Sequence, residues 1–297
     1  MQENILKFFL EIATPVLDTI AEAITMLGEQ YLFIAVLAFV YWNVSKRKGF
    51  ILASALVFSQ IVNNLIKIIV RAPRPFEKLD YISGKRVETA TGYSFPSGHT
   101  QGAASFYSAG ALIINKTGAY IAAAIVIILV AVSRLYLGVH WPVDVAAGLV
   151  FGVLLAFIIM RLVDKLYDNF KKLQLVFQII NYVIMASLAI LFYINLNFFD
   201  ESLKLADYFK VSGMFMGFSG GFFLEKLNLD FDASKGSRLK KGLRFVIGLA
   251  GAAGFLFGLK AVFPDHLILD MVRYSLPGTW VSFLWPFLGA KIGLFSK

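Results

Sequence analysis

The chain has 297 residues, of which 58% are hydrophobic and only 16% charged, with a mean hydropathy of +0.72 and a net charge of +9. Soluble domains are about a quarter charged, so the composition excludes a large soluble core and reads as an all-α, polytopic transmembrane helical bundle. The absence of cysteine excludes disulfides, thiolate metal sites and a thiol nucleophile, and the excess of Lys and Arg is read as setting membrane orientation rather than as binding nucleic acid.

Residues 4–27 read as one amphipathic helix lying in the membrane interface, with Glu11, Asp18 and Glu22 on one side and Pro15 as a bend. Those acids interrupt the apolar pattern, so no cleavable signal peptide is read there. Spans of about 20 apolar residues are expected at 30–44, 50–70, 99–115, 119–137, 143–163, 175–196, 206–226, 243–263 and 277–295. Lys and Arg at 46–48, at 116, between 161 and 172, between 226 and 244 and at 291 then fall on one side of the membrane. The positive-inside rule assigns that side to the cytoplasm, and the loop 71–98 and the stretch around His140 face outward. Residues 1–27 are expected to form an interfacial N-terminal helix, 28–170 the core, and 171–297 an extension whose role no motif reveals. Gly213, Gly217 and Gly221, then Gly254 and Gly258, have the spacing that lets helices approach closely, within the chain or in a homodimer.

Three outward clusters carry chemistry. Between residues 133 and 144 the chain reads Ser-Arg-Leu-Tyr-Leu-Gly-Val-His-Trp-Pro-Val-Asp. Pro142 fits the first turn of a helix, which puts His140 and Asp144 about one turn apart. A carboxylate beside an imidazole fixes its tautomer and stabilises its charged form, while Arg134 adds a planar cation suited to phosphate oxygens. Read alone, the stretch is equally an interfacial Trp/Tyr/His/Arg anchor.

The second cluster is Lys67 followed by Arg74, whose helix is stopped by Pro73 and Pro75. The third is Pro96-Ser97-Gly98-His99, opening a helix whose first N–H groups make an anion site. Together these are three cations, a helix N-terminus and two of the chain's three histidines, a set that suits a tetrahedral dianion. One carboxylate-backed histidine and one unbacked histidine supply a nucleophile and a separate acid.

Lys67…Arg74-Pro75, Pro96-Ser97-Gly98-His99 and Ser133-Arg134…His140…Asp144 resemble the type-2 phosphatidic acid phosphatase superfamily, with its K-x6-RP, PSGH and SR-x5-H-x3-D patterns, in order and without departure. The resemblance spans roughly residues 28–165 and implies a six-helix phosphatase core, followed here by additional C-terminal transmembrane helices. It implies hydrolysis of a lipid phosphate monoester or diphosphate without metal or other cofactor. His140 would attack phosphorus to form a phosphohistidine, Asp144 would orient it, and His99 would protonate the leaving oxygen and then activate water. Lys67, Arg74 and Arg134, with the backbone N–H groups of Ser97 and Gly98, would clamp the phosphoryl oxygens.

Glu29, Tyr31 and Tyr41-Trp42-Asn43 look like the sphingosine-1-phosphate phosphatase branch and its bacterial undecaprenyl-pyrophosphate relatives. Undecaprenyl pyrophosphate, phosphatidic acid, phosphatidylglycerophosphate, a sphingoid-base phosphate and a lipid A phosphate are all open as substrates in a bacterial plasma membrane. Lys78, Lys85, Arg86 and Tyr93, in the long loop, are candidates to read the headgroup. The competing classes are a vanadate-dependent haloperoxidase relative and a lipid-phosphate binder or transporter. The many spans argue against the first, and the lack of repeats and broken midplane helices against the second.

Overall fold

The computed structural model describes residues 1–198, 204–264 and 266–296, and among these there are helices and turns but no strand. The chain forms two compact units, one of Met1–Ile34 with Leu52–Arg161 and the other of Ala35–Ile51 with Leu162–Lys297. Residues 35–51, expected in the core, therefore pack with the C-terminal part of the chain.

In order, the helices are α1 (Gln2–Glu11), α2 (Pro15–Thr25), α3 (Gln30–Asn43), α4 (Lys46–Val70), the short α5 (Pro75–Lys78), α6 (Gly98–Ile114), α7 (Thr117–Tyr136), α8 (Pro142–Tyr167), α9 (Phe170–Phe198), α10 (Ala206–Asn228), α11 (Arg238–Ala253), the short α12 (Leu259–Val262), α13 (Leu267–Thr279) and α14 (Trp285–Lys291). Among the described residues five helical stretches are long and apolar enough to cross a membrane, or six if the pair Pro15–Gly28 and Gln30–Asn43, bent by 44°, is one span. The chain is an integral membrane protein built of helices. Two of the expected spans that fall short of that length or apolarity bury several polar side chains: α6 buries Thr100, Gln101 and Ser105, and α10 buries Ser212, Ser219 and Glu225. Their surfaces face protein, so hydropathy is not what stabilises them.

The N-terminal segment is two helices rather than one bent helix. Thr14 adopts an extended conformation and caps α2, its Oγ1 accepting from Leu17 N at 3.3 Å, with Pro15 at the first helical position. A capped start with proline behind it is a stop for the preceding helix.

In the first unit a polar ladder joins α4 to α6. Asn63 Nδ2 donates to Gln101 Oε1 at 2.8 Å and to Pro96 O at 3.3 Å, and Gln101 Nε2 donates to Ser59 O at 2.8 Å. All three side chains are fully buried, so every bond counts, and the helix bearing Lys67 is held in register with the helix bearing His99. On its other side α6 meets α8 through Gly148 and Gly152. A Cβ at Gly152 would sit 2.6 Å from Gln101 O and 2.5 Å from Ala104 Cβ. Gly152→Ala should therefore destabilise the protein by about 1–3 kcal/mol, read as an earlier thermal unfolding in detergent; unchanged unfolding would show that α8 is free to slide.

In the second unit the glycines of α10 approach α13. Cβ atoms at Gly213 and Gly217 would fall onto the carbonyls of Met271 and Ser275, and one at Gly221 onto the Ser282 hydroxyl. This stripe is used within the chain, whereas Gly254 and Gly258 face open space. The last expected span, 277–295, instead begins at Leu267 and carries Pro277 inside α13, followed by a π-helical turn at Trp280–Leu284. Pro286 has no N–H to give a carbonyl one turn back. Tyr41 and Trp42 supply donors there, Tyr41 Oη to Ser282 O at 3.2 Å and Trp42 Nε1 to Val281 O at 2.8 Å.

Candidate active site

The site belongs wholly to the first unit. It is assembled from the end of α4, the loop 71–98, the first turn of α6, the end of α7 and the turn into α8.

Arg74 is its hub. Pro75 opens α5, so Arg74 is held extended at the N-cap, where its own N–H donates to Glu77 Oε2 at 2.7 Å. The guanidinium is 1% exposed. It donates to the carbonyls of Thr91 at 2.6 Å, Gly92 at 3.3 Å, Tyr93 at 3.3 Å and Val139 at 2.9 Å. Its Nη1 also stands 3.1 Å from His140 Nε2. A guanidinium can only donate, so Nε2 is the acceptor and the ring proton lies on Nδ1. That assignment follows from the hydrogen-bond network, and it leaves a lone pair on the nitrogen facing the cations.

Nδ1 faces Asp144 Oδ2 at 3.4 Å, the contact expected from the spacing of four. Asp144 is fixed in turn by Trp141 N at 2.9 Å and by the Ser94 hydroxyl, both donating to Oδ2. Burial first, then the Arg74 and Arg134 guanidinium groups, push the His140 imidazole well below the usual histidine range. At pH 7 it is neutral and able to attack.

Around it stand Lys67, Arg134 and His99, all within electrostatic reach of His140. Lys67 Nζ donates to Thr91 O at 3.2 Å and lies 3.9 Å from where a side chain on Gly98 would begin. Arg134 is fully buried; its Nη1 donates to Thr25 Oγ1 at 2.8 Å, while Nε and Nη2 have no hydrogen-bond partner. His99 Nε2 is likewise buried without one. A buried polar nitrogen without a partner is costly, on the order of 1–3 kcal/mol, and both residues lie within electrostatic reach of His140. Such a set is suited to an anion.

Not every residue picked out in the sequence has its expected place. The Ser97 N–H donates to Asp144 O at 3.0 Å, which ties α6 to α8. Gly98, the first residue inside α6, keeps an N–H that helix geometry leaves without an intrahelical acceptor. Lys85 forms an ion pair with Asp18, which also accepts from Tyr136 Oη at 2.7 Å. Arg86 is paired with Glu29 at 2.7 Å and donates to Glu22 O at 3.4 Å. Both pin the long loop to the N-terminal helices instead of meeting a headgroup. Lys85→Ala should leave the KM for a lipid phosphate within a few-fold of wild type, with stability lowered by at most about 1 kcal/mol; a large rise in KM would restore the headgroup role. Tyr93 contributes its carbonyl to Arg74. Lys78 is exposed on a groove of about 900 Å³ lined also by Gln2, Pro73, Trp141 and Asp144.

Sequence reasoning missed Ser94, Thr25 and the Asn63–Gln101 ladder, none of which stands at a spacing that marks a function. Among the described residues no three His, Asp or Glu side chains converge as a metal would require.

The PAP2 superfamily profile matches residues 48–168, and that of the PAP2 superfamily phosphatase transmembrane extension matches residues 209–297. Undecaprenyl-diphosphatase BcrC of Bacillus subtilis is 31% identical over 153 residues, 51% of this chain and 77% of that protein. An undecaprenyl-diphosphatase of Sulfolobus acidocaldarius is 32% identical over 46% of this chain and 65% of its own length. Phosphatidylglycerophosphatase B of Bacillus subtilis is 28% identical over 55% of this chain and 84% of its own length.

Proposed function

Because the chain belongs to the PAP2 superfamily and is a membrane lipid phosphatase, we propose that it hydrolyses a lipid monophosphate or diphosphate, undecaprenyl pyrophosphate foremost, through a phosphohistidine on His140. The observation that carries this reading is the set of buried, unpartnered nitrogens on Arg134 and His99, two residues within electrostatic reach of His140, whose Nε2 faces Arg74. The undecaprenyl-diphosphatase relatives support the diphosphate, and the distribution of basic loops supports an extracytoplasmic site.

The phosphoryl group would lie among Lys67, Arg74, Arg134 and the Gly98 N–H. Positioning and charge neutralisation do most of the work in phosphoryl transfer. His140 Nε2 attacks phosphorus as the P–O bond to the lipid breaks, and His99, protonated when substrate is bound, gives a ring proton to the departing oxygen and becomes neutral. Nδ1–H stays against Asp144, which stabilises the cationic ring. The neutral His99 then takes a proton from water, the water oxygen attacks phosphorus, the P–N bond breaks and phosphate leaves.

The test is phosphate release by purified protein from a panel of lipid phosphates and diphosphates, with and without EDTA. Release from undecaprenyl pyrophosphate, undiminished by chelation, is the expected result. Strong loss on chelation contradicts the mechanism, and halide oxidation in place of hydrolysis contradicts the reaction class. A reporter fused at residue 236 should be cytoplasmic; labelling it from outside intact cells would invert the topology.

A further inference from the structure

Ser94 is fully buried where three segments of the site meet. Its backbone N–H donates to Ala72 O at 2.8 Å, next to the segment that carries Arg74. Its hydroxyl donates to Asp144 Oδ2, and the same oxygen lies 3.5 Å from His140 Nδ1. With Nε2 accepting from Arg74, the ring proton on Nδ1 faces two oxygens, Asp144 Oδ2 at 3.4 Å and Ser94 Oγ at 3.5 Å. Both are longer than a good N–H···O bond. The pairing of imidazole and carboxylate thus depends on what holds the carboxylate still. Ser94 and the Trp141 N–H are the groups that do so.

We propose that Ser94 is a positioning residue for His140: its hydroxyl locks the Asp144 carboxylate against Nδ1–H and turns a lone pair toward that proton as the ring becomes cationic. Attack on phosphorus leaves an N-phosphorylated imidazolium whose charge is concentrated at Nδ1–H, so two fixed acceptors stabilise the transition state more than the ground state. The proposal rests on the reading of His140 as nucleophile.

Ser94→Ala, Ser94→Thr and Ser94→Val, purified beside His140→Ala, test it on a lipid phosphate. Ser94→Ala keeps the N–H to Ala72 and removes only the hydroxyl. It should lower kcat about 10- to 100-fold, the loss of one hydrogen bond to a charged group, with KM nearly unchanged. The acidic limb of its kcat/KM profile should move to lower pH. With one fixed acceptor fewer at Nδ1–H, the cationic ring is less stabilised, which lowers the proton affinity of the His140 ring. Thr and Val have the same shape, so Ser94→Thr should exceed Ser94→Val by about fivefold or more if the hydroxyl acts as a hydrogen-bonding group. Wild-type kcat and pH profile in Ser94→Ala, or equal losses in the Thr and Val variants with an unmoved acidic limb, would overturn the role. Phosphate release retained by His140→Ala sinks the nucleophile reading itself; its loss there beside an unaltered Ser94→Ala sinks the Ser94 role alone.

Discussion

Alanine at His140 should lower phosphate release by about 10⁴-fold or more, roughly 5.5 kcal/mol of transition-state stabilisation. The nitrogen lost is the one that faces Arg74 Nη1, 3.1 Å away. His99→Asn should behave differently, and the difference assigns the roles. With a lipid leaving group the proton from His99 is needed, and the rate should fall about 10²–10⁴-fold. With an activated aryl phosphate the first step no longer needs an acid, whereas hydrolysis of the P–N bond still lacks its base. Acid-labile phosphate should then accumulate on the His99→Asn protein and be absent from His140→Ala. Label on His140→Ala, or none on His99→Asn under these conditions, would refute the two-step scheme.

Arg74→Lys should damage both the fold and the reaction, and Arg134→Lys the reaction more than the fold. Arg74 serves the carbonyls of Thr91, Gly92, Tyr93 and Val139 from one buried fork. An ammonium point charge does not reproduce that geometry, and each carbonyl left without a donor costs about 1–3 kcal/mol, not fully additively. A marked drop in thermal unfolding temperature is expected, with activity down about 10²–10³-fold. Arg134 gives the fold one hydrogen bond, to Thr25, and leaves Nε and Nη2 unpartnered. Its replacement should cost activity to the same degree with little loss of stability, and added phosphate should protect the wild type from unfolding more than this variant. Equal stability losses in the two variants would show that Arg134 is a structural cation like Arg74.

The parts of the site that were legible in the sequence are those governed by short spacing. His140 and Asp144 are four residues apart behind a helix-starting proline, so helical geometry alone makes them face each other, and they do. Lys67 and Arg74 straddle a helix end forced by proline. What spacing does not reveal is which donors are already taken. The Ser97 N–H looked available at a helix start, yet the carbonyl of Asp144 uses it. Lys85 and Arg86 looked like headgroup readers because they are cations in the longest polar loop, but Asp18 and Glu29 neutralise them. Tyr41 and Trp42, suggestive as a family mark, donate to the carbonyls of Ser282 and Val281, some 240 residues away and about one turn before Pro286.

By itself, then, the sequence determined the chemistry and the medium: apolar runs long enough for lipid, and three clusters whose residue types suit a phosphoryl group and little else. Both follow from covalent identity and from helical periodicity, which act over a few residues. The tertiary structure decided the allocation of partners. It committed Ser97, Lys85 and Arg86 to the scaffold, left Arg134 and His99 with unpaired nitrogens, and brought in Ser94 to hold Asp144. A buried donor has no water to fall back on, so its role is set by the acceptors that packing brings within about 3 Å, and those come from segments far apart in the chain.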